Sequence, residues 1–328
     1  MKLFLRSIQI LCVFCVTTIS VAQQTMPMYS DYLSDNIFLV HPSAAGIGNC
    51  AKIRFTGRQQ WIGVPNAPAL QTLSYHSRVH ESFNTAYGVV LYNDQNGYHS
   101  QRGIRATYAY HLPLGNPSYF NQLSFALSVS AMQSQVDQRS FQDGDPAVIP
   151  VVDAFSHLNA DFSMAYHKES FSSYLTIKNL LPTPSSEFEA SENINLRNYV
   201  ASLSYFFGEE RFIQVEPSFL LQYQEATGEA ITDLNIKAYK GFDEGRVWAA
   251  VSYRRSLETS ILESAHYVSP ILGVNYKNTM LSYTFTRQLN DILISEAGLH
   301  QITLGINLNC VDYKGKIYRN INAIFSDY

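Results

Sequence analysis

Charge is the scarcest property of this 328-residue sequence. Charged residues make up 15% of it, against about 25% in an average soluble domain. Disordered chains need many charges and few apolar residues, and coiled coils need abundant Glu, Lys and Leu, so both classes are excluded. The formal net charge of −4 provides no basic surface for nucleic acid. We therefore expect no nucleic-acid partner.

Long hydrophobic runs are also missing, and the mean hydropathy is −0.10. A transmembrane helix needs about 20 predominantly apolar residues in succession, so a helical membrane protein is not favoured. Tryptophan is rare, with 2 residues, whereas Tyr and Phe are abundant, with 22 and 19. What remains is a β-rich chain with many aromatic side chains and few charges.

Sequence signatures of catalysis are absent as well. The chain has no His-Glu-x-x-His, Gly-x-Ser-x-Gly or P-loop pattern. Pieces of calcium-loop patterns at 94–97 and 143–145 are interpreted as plain turns. The sequence therefore predicts a non-enzymatic protein with no catalytic residue, no metal site and no cofactor.

The first 22 residues have the features of a secretory signal peptide. They combine a positively charged start, a mainly apolar stretch over 7–20 and small residues at 20 and 22. Cleavage would remove Cys12 and Cys15, whose spacing otherwise suggests a redox pair. The mature chain would keep two cysteines, Cys50 and Cys310.

From residue 50 onward, apolar residues alternate with polar or small ones. In 123–131, for example, Leu, Phe, Leu, Val and Ala interleave with Ser, Ala, Ser and Ser. Successive side chains of a strand point to opposite faces, so each such stretch predicts a strand with one apolar face. Fourteen strands are predicted, at about 51–58, 69–78, 85–93, 103–112, 121–132, 157–167, 172–180, 198–207, 212–223, 230–239, 246–254, 267–276, 279–287 and 299–309.

The predicted connections alternate in length, which points to a membrane barrel. Most odd-numbered connections are long and the even-numbered ones are short, as in outer-membrane barrels with long outer loops and short periplasmic turns. Most strands have roughly the 9–11 residues that cross a bilayer. The alternative is a soluble β-sandwich. The number and length of the strands favour an all-β, transmembrane antiparallel barrel over 50–309, with both termini in the periplasm.

Two segments flank the predicted barrel. Residues 23–49 lack a strand pattern, and they are expected either to enter the lumen as a plug or to lie across the periplasmic mouth. Residues 310–328 form a periplasmic tail that either contacts a partner or is a disordered end.

Cys50 and Cys310 lie just outside the first and the last strand, which are neighbours in a closed barrel. The periplasm is oxidising, so a disulfide across this seam is one possibility and two free thiols are the other.

Side chains predicted to face the lumen include basic residues early in the chain and acidic residues later. Opposite charges on the two halves favour ion pairs across the lumen, while a selectivity role in an open channel is the alternative. The basic residues are Lys52, Arg54, Arg58, Arg78 and Arg105, and the acidic ones are Asp161, Glu216 and Asp233.

Several motifs of the mature chain match those of one family. They are Pro27 and Tyr32 within 23–32, Pro42 and Gly46 within 42–46, the block Arg58-x-Gln60-Trp61-x-Gly63 with Ala67-Pro68, and His300 in the last strand. They resemble the PorP/SprF family of outer-membrane proteins. The sequence departs from the family pattern where Asn66 stands in place of Gly and Gln301 in place of Glu. At 41–44, His-Pro-Ser-Ala replaces the favoured Asn-Pro-Ala-Tyr.

The resemblance implies a barrel like that of fatty-acid transporters and a place in type IX secretion, linked in some members to gliding motility. The expected function is attachment or display of secreted surface proteins such as adhesins, in the outer membrane. Expected partners are outer-membrane lipid, periplasmic secretion components and a secreted surface protein. The rival hypothesis is an outer-membrane transporter or channel for hydrophobic small molecules.

Arg58, Gln60 and Trp61 are expected where the first strand meets the first outer loop. One interpretation is a fixed loop that shapes the outer surface or closes the lumen. The other is a structural corner that serves only the integrity of the barrel.

Overall fold

The computed structural model describes most of the chain. The described residues are 31–48, 50–79, 84–116, 120–137, 152–184, 193–194, 196–208, 212–257, 266–289 and 298–310. The predicted signal peptide, Pro27 and the tail beyond Cys310 lie outside them.

Fourteen antiparallel strands form a closed barrel in which each strand pairs with its neighbours in the sequence and the last pairs with the first. The strands are β1 (Ala51–Gln60), β2 (Ala69–Arg78), β3 (Thr85–Asn96), β4 (His99–Pro113), β5 (Asn121–Asp137), β6 (Val152–Lys168), β7 (Phe171–Lys178), β8 (Asn198–Tyr205), β9 (Gln214–Gln224), β10 (Ala230–Phe242), β11 (Gly245–Ser256), β12 (His266–Tyr276), β13 (Thr279–Gln288) and β14 (Leu299–Leu308). All fourteen predicted strands are confirmed. A separate two-stranded ladder joins Thr183–Pro184 to Asn193–Ile194.

Burial along the strands is inverted relative to a soluble protein. Small polar side chains such as Ser124, Ser163 and Thr303 are completely buried, whereas Leu127 and Leu272 are 61% and 63% exposed. An apolar outer face suits lipid, and closure of the sheet pairs the first strand with the last, which would otherwise be edge strands. The period-two pattern of the sequence therefore has its apolar face outside.

Several strands extend beyond their predicted ends. The nine-residue loop expected at 94–102 is wrong, because β3 and β4 join through a tight turn at 97–98 and Asn96 pairs with His99. Glycine at the first of the two turn positions is typical of such a hairpin, and Gly97 has the required positive φ of 61°. Strands β5 and β6 each have 17 residues, so residues 133–137 and 152–156 of the predicted loop belong to strands, and residues 138–151 lie outside the described part of the chain.

The wall of the barrel has unequal height. Strands β7 and β8 have only 8 residues each, about half the length of β5 and β6. The β1–β14 seam is regular, with register from Ala51–Leu308 to Gln60–Leu299. We call the end of the barrel that holds Cys50 and Cys310 the disulfide end, and the opposite end the loop end.

The chain before β1 forms three short 3₁₀ turns, Asp31–Leu33, Ile37–Leu39 and Pro42–Ala44. Pro42 suits the first position of its turn, since its fixed φ fits and its missing N–H has no intrahelical partner there. No helix in the described part of the chain is long and apolar enough to span a membrane.

Candidate functional site

Residues 31–48, which we call the luminal segment, lie inside the barrel. Their apolar side chains are almost fully buried, with Phe38, Val40 and Ile47 at most 2% exposed. Phe38 packs on Gly88 of β3, where any larger side chain would collide with its ring. These described residues therefore fill part of the lumen, while residues 23–30 of the predicted lead-in lie outside the described part of the chain.

The luminal segment forms an ion pair with β10. Lys237 Nζ lies 2.6 Å from Asp35 Oδ1, and the two side chains are 6% and 7% exposed. The same ammonium donates to the carbonyl of Leu33 at 3.0 Å and lies 3.8 Å from the centre of the Trp248 ring. Burial raises the pKa of the Asp35 carboxyl, but the positive charges of Lys237, Arg54 and Arg246, with the hydrogen bond from Lys237, together outweigh burial and lower the pKa to about 2. Asp35 is therefore ionised at any physiological pH.

A second polar cluster holds Tyr32. Its hydroxyl donates to Asp233 Oδ2 at 3.0 Å and accepts from Asn235 Nδ2 at 2.9 Å. Asp233 in turn accepts two hydrogen bonds from Arg254, at 2.6 and 2.7 Å. A buried carboxylate with this bidentate partner is electrically compensated, so Tyr32 is anchored to a fixed site on β10 and β11.

His41 contacts the barrel wall at β7 and β8. Its Nδ1 is 2.7 Å from Thr176 Oγ1 on β7, and its Nε2 is 2.5 Å from Ser202 Oγ on β8. Burial, reinforced by the positive charges of Lys178 and Arg105, holds the pKa of His41 well below its ordinary value. His41 is therefore a neutral hydrogen-bonding group at pH 7.

The C-terminal part of the luminal segment is fixed to β2 and β4. Gly46 donates its N–H to His76 Nδ1 at 3.0 Å, and its carbonyl accepts from Arg78 Nε at 2.9 Å. His111 Nε2 lies 2.8 Å from the carbonyl oxygen of Ala45. Gly46 has a φ of 67°, and an added Cβ would overlap the Cβ of Ala86. Glycine is thus required at this motif position both by the backbone conformation and by the lack of room for a side chain.

Lumen-facing charges mostly find other partners than those expected. Arg105 and Asp161 join the early basic set to the late acidic set, with 3.8 Å between Nη1 and Oδ2. Asp233 pairs with Arg254 on the adjacent strand, and Glu216 accepts from the Tyr239 hydroxyl at 2.6 Å. The luminal segment occupies the space between the walls. Its backbone carbonyls take hydrogen bonds from Arg78, Arg105 and Lys237.

A disulfide joins Cys50 and Cys310 at the end of the β1–β14 seam, with 4.1 Å between their Cα atoms. The bond closes a loop of sequence separation 260. It lies at the point where the luminal segment leads into β1, so it fixes the barrel seam and the exit of this segment together.

The Arg58–Pro68 block forms an ordered turn at the loop end. The N–H of Gln60 donates to the carbonyl of Pro68 at 2.9 Å, and the N–H of Gly97 donates to the carbonyl of Asn66 at 3.1 Å. Asn66 has a φ of 56°, a conformation that Gly adopts freely and Asn tolerates. This explains how Asn replaces the family glycine there.

The remaining motif residues lie on the same part of the loop end. Trp61 and Gly63 also have positive φ, 50° and 92°, and Ala67 is buried. Trp61 N–H points to the carbonyl of Gly298 at 3.5 Å, and His300 Nδ1 is 2.7 Å from the Tyr283 hydroxyl. The predicted motif residues thus form two groups. Tyr32, Pro42 and Gly46 lie in the lumen, while Arg58 to Pro68 and His300 lie at the loop end of the β1–β14 seam.

No cluster of three or more His, Cys, Asp or Glu suited to a metal ion occurs among the described residues. A depression of about 690 Å³ lies along the tall strands β3–β6. Its lining includes the outward-facing Leu91, Ile104 and Leu158 together with Gln133 and His157.

The closed fourteen-stranded wall, its apolar outside and its filled polar interior define an outer-membrane β-barrel protein. The family model of the type IX secretion system membrane protein PorP/SprF matches residues 21–306. The chain belongs to this family.

Solved structures that resemble the chain are outer-membrane barrels of low identity. The CymD monoaromatic hydrocarbon channel is 12% identical, with a TM-score of 0.48 over 81% of this chain and 88% of that one. BamA from Haemophilus ducreyi lacking POTRA domains 1–3 is 10% identical, with a TM-score of 0.43 over 79% and 70%. Omp33 from Acinetobacter baumannii is 10% identical, with a TM-score of 0.39 over 80% and 99%. We draw no functional conclusion from these weak similarities. Comparison with curated proteins gives no match.

Proposed function

We propose that this protein is a non-enzymatic binding component of type IX secretion that attaches or displays secreted surface proteins, such as gliding adhesins, at the outer membrane. Family membership supports a type IX secretion component. The single observation that carries the binding role is the filled lumen. Because residues 31–48 are hydrogen-bonded to β2, β4, β7, β8 and β10, the two ends of the barrel are the surfaces available to binding partners.

The two ends suit different partners. Cys50, which precedes β1, and Cys310, which follows β14, both lie at the disulfide end. We infer that this end faces the periplasm, where it would dock onto secretion components together with the predicted tail. The loop end then faces the exterior, where the tall β5–β6 hairpin stands above the short β7 and β8 strands. A secreted protein would be held there.

The decisive experiment is a gene deletion complemented with the wild-type chain, followed by quantification of secreted proteins in the medium and on the cell surface. We expect at least one surface protein to lose its attachment in the deletion strain and to regain it on complementation. Normal display of all surface proteins in the deletion strain would refute the proposal.

Transport of hydrophobic small molecules remains the competing hypothesis, and it can be tested separately. A transporter predicts lower uptake of a hydrophobic substrate in the deletion strain with normal surface display. A display component predicts the reverse. Planar-bilayer recordings of the purified barrel add a direct test, because a lumen held closed by residues 31–48 should give no stable conductance.

A further inference from the structure

Two adjacent rows of side chains on the outer face of β3–β6 differ sharply in polarity. Each row consists of residues that pair in register from strand to strand. The apolar row consists of Leu91, Ile104, Ala131 and Leu158. The polar row, two residues closer to the loop end, consists of Asn93, Arg102, Gln133 and Ser156. Apolar side chains suit the hydrocarbon of a membrane and polar ones do not, so the edge of the hydrocarbon layer lies between the two rows.

The depression of about 690 Å³ on this face includes residues of both rows. In the apolar row, the small side chain of Ala131 lies between Ile104 and Leu158, which are 45% and 63% exposed. The two larger side chains therefore stand on either side of a hollow. The part of the depression nearer the middle of the barrel is apolar, and the part nearer the loop end is polar. This division suits an amphipathic ligand.

Arg102 is the one charged member of the polar row. Its side chain is exposed, and its Nε donates to Asn93 Oδ1 at 3.0 Å. Asn93 Nδ2 in turn donates to Gln71 Oε1 at 3.4 Å, so hydrogen bonds across three strands orient the guanidinium group. Among the described residues, no hydrogen-bond acceptor or carboxylate contacts the Nη groups of Arg102. These groups are therefore available to a ligand.

The chemistry of the guanidinium group indicates what that ligand is. Its planar fork of N–H donors matches two oxygens of a phosphate or carboxylate and binds them bidentately. Arg102 lies where the hydrocarbon layer ends, which is the level of the lipid headgroups. An anionic headgroup at this level would meet the Nη groups while its acyl chains extend toward the apolar row.

We propose that Arg102 and the depression beside it bind a phosphate-bearing lipid of the outer leaflet. The phosphate accepts hydrogen bonds from the Nη groups of Arg102, and an acyl chain lies in the hollow over Ala131. The outer leaflet follows from the loop end facing the exterior. This site does not depend on the display of surface proteins, and it gives the outer wall of the barrel a binding role of its own.

Other occupants match these features less well. A purely hydrophobic molecule would fill the hollow but leave Arg102 without an anionic partner. A symmetric contact with a second copy of the barrel would bring two polar rows together. The polar row has no acidic side chain to meet Arg102, so such a contact would place like charges near each other.

The first test titrates the purified full chain with lipid A, a phosphorylated glycolipid with several acyl chains, and counts bound lipid by native mass spectrometry. The same lipid without its phosphate is the second probe. We expect Arg102→Gln to bind the phosphorylated lipid about tenfold more weakly than the wild type, because a bidentate charged contact is lost. Removal of the phosphate should weaken binding to the wild type by a similar factor and leave binding to Arg102→Gln unchanged.

The matched control is Arg255→Gln. Arg255 is also exposed, but it lies on β11 and does not line the depression. This variant removes the same charge and should bind the phosphorylated lipid as the wild type does. Equal losses at 102 and 255, no loss at 102, or equal binding of the two lipid probes by the wild type would overturn the inference.

The second test addresses the hollow with Ala131→Phe and the control Ala249→Phe. Both alanines are exposed on the outer face, and Ala249 lies on β11, away from the depression. Both barrels should still fold, which heat-dependent mobility on a detergent gel can check. We expect Ala131→Phe to lose affinity for the phosphorylated lipid, because its ring occupies the hollow, and Ala249→Phe to keep it. Unchanged binding by folded Ala131→Phe would overturn the placement of the acyl chain.

Discussion

The ammonium group of Lys237 and the carboxylate of Asp35 form a buried ion pair 2.6 Å long between the barrel wall and the luminal segment. This contact joins two parts of the chain that are 202 residues apart. Removing one partner of a buried pair leaves an uncompensated charge, which is far more costly than removing both.

Lys237→Met should therefore destabilise the protein by about 3–5 kcal/mol. Urea unfolding in detergent or lipid would measure the change. The double variant Asp35→Asn, Lys237→Met should recover part of the loss. The control is Lys277→Met, which removes an exposed pair with Glu244 at 3.4 Å and should have no measurable effect. Equal effects at 237 and 277 would show that the luminal segment does not depend on the buried pair.

The disulfide provides a second prediction. Cys310→Ser should destabilise the barrel by about 2–4 kcal/mol, because a cross-link between distant residues restricts the unfolded chain. Reduced wild-type protein should unfold at the same denaturant concentration as the variant, and adding reductant should not change the variant. Mass spectrometry of the native protein should find no free thiol at Cys50. A mature chain with two alkylatable thiols would contradict the bond.

Substitutions at two glycines would distinguish the free-energy cost of backbone strain from that of steric overlap. Gly46 and Gly63 both have positive φ, but an added Cβ meets Ala86 and Arg78 at Gly46 and nothing within 4 Å at Gly63. Gly63→Ala should cost about 1–2 kcal/mol from conformation alone. Gly46→Ala should cost about 1–3 kcal/mol more, because the luminal segment must shift. Denaturant unfolding of both variants checks this, and similar losses would mean that Gly46 is not tightly packed.

The stability of the luminal segment should depend on pH through His41. Burial holds the pKa of His41 well below its ordinary value, so the unfolded chain takes up a proton below about pH 6.5 that the folded protein does not. The contribution of His41 to stability is therefore complete above about pH 7.5 and is lost progressively as the pH drops below about 6.5.

The expected loss from His41 approaches about 1.4 kcal/mol per pH unit below its unfolded pKa. Unfolding midpoints at pH 8, 7, 6 and 5 would measure it. His41→Gln removes this titrating group. The slope of the free energy of unfolding against pH should therefore be smaller in the variant than in the wild type, by the amount that corresponds to about one proton. A variant with the same pH profile as the wild type would show that His41 is not kept neutral by the fold.

The barrel could be predicted because the sequence pattern that indicates it, the alternation of apolar and polar residues within each strand, is local. Alternation in stretches such as 123–131 is set by which face meets lipid, and it fixes the strands without knowledge of their partners. The turn at 97–98 could also have been predicted from Gly97, because glycine is typical of the first position of a two-residue hairpin turn. It was missed because polar residues on each side continue the strands beyond the apolar pattern.

The contacts of the lumen could be predicted only in part. The pair between Asp233 and Arg254 follows from the tight turn at 243–244, which makes these residues register partners. The positions of Tyr32, Asp35 and His41 could not be derived, because a segment without periodicity has no face or register to constrain it. Its contacts depend on how a short, irregular chain fits a cavity formed by distant strands.

The position of the disulfide also implies an order of assembly. The sulfur atoms of Cys50 and Cys310 belong to segments that flank the first and last strands, and these strands become neighbours only when the sheet closes. Oxidation of this pair in the periplasm would therefore follow ring closure rather than guide it. The oxidised fraction in newly made protein can then serve as a chemical measure of how many barrels have finished closing.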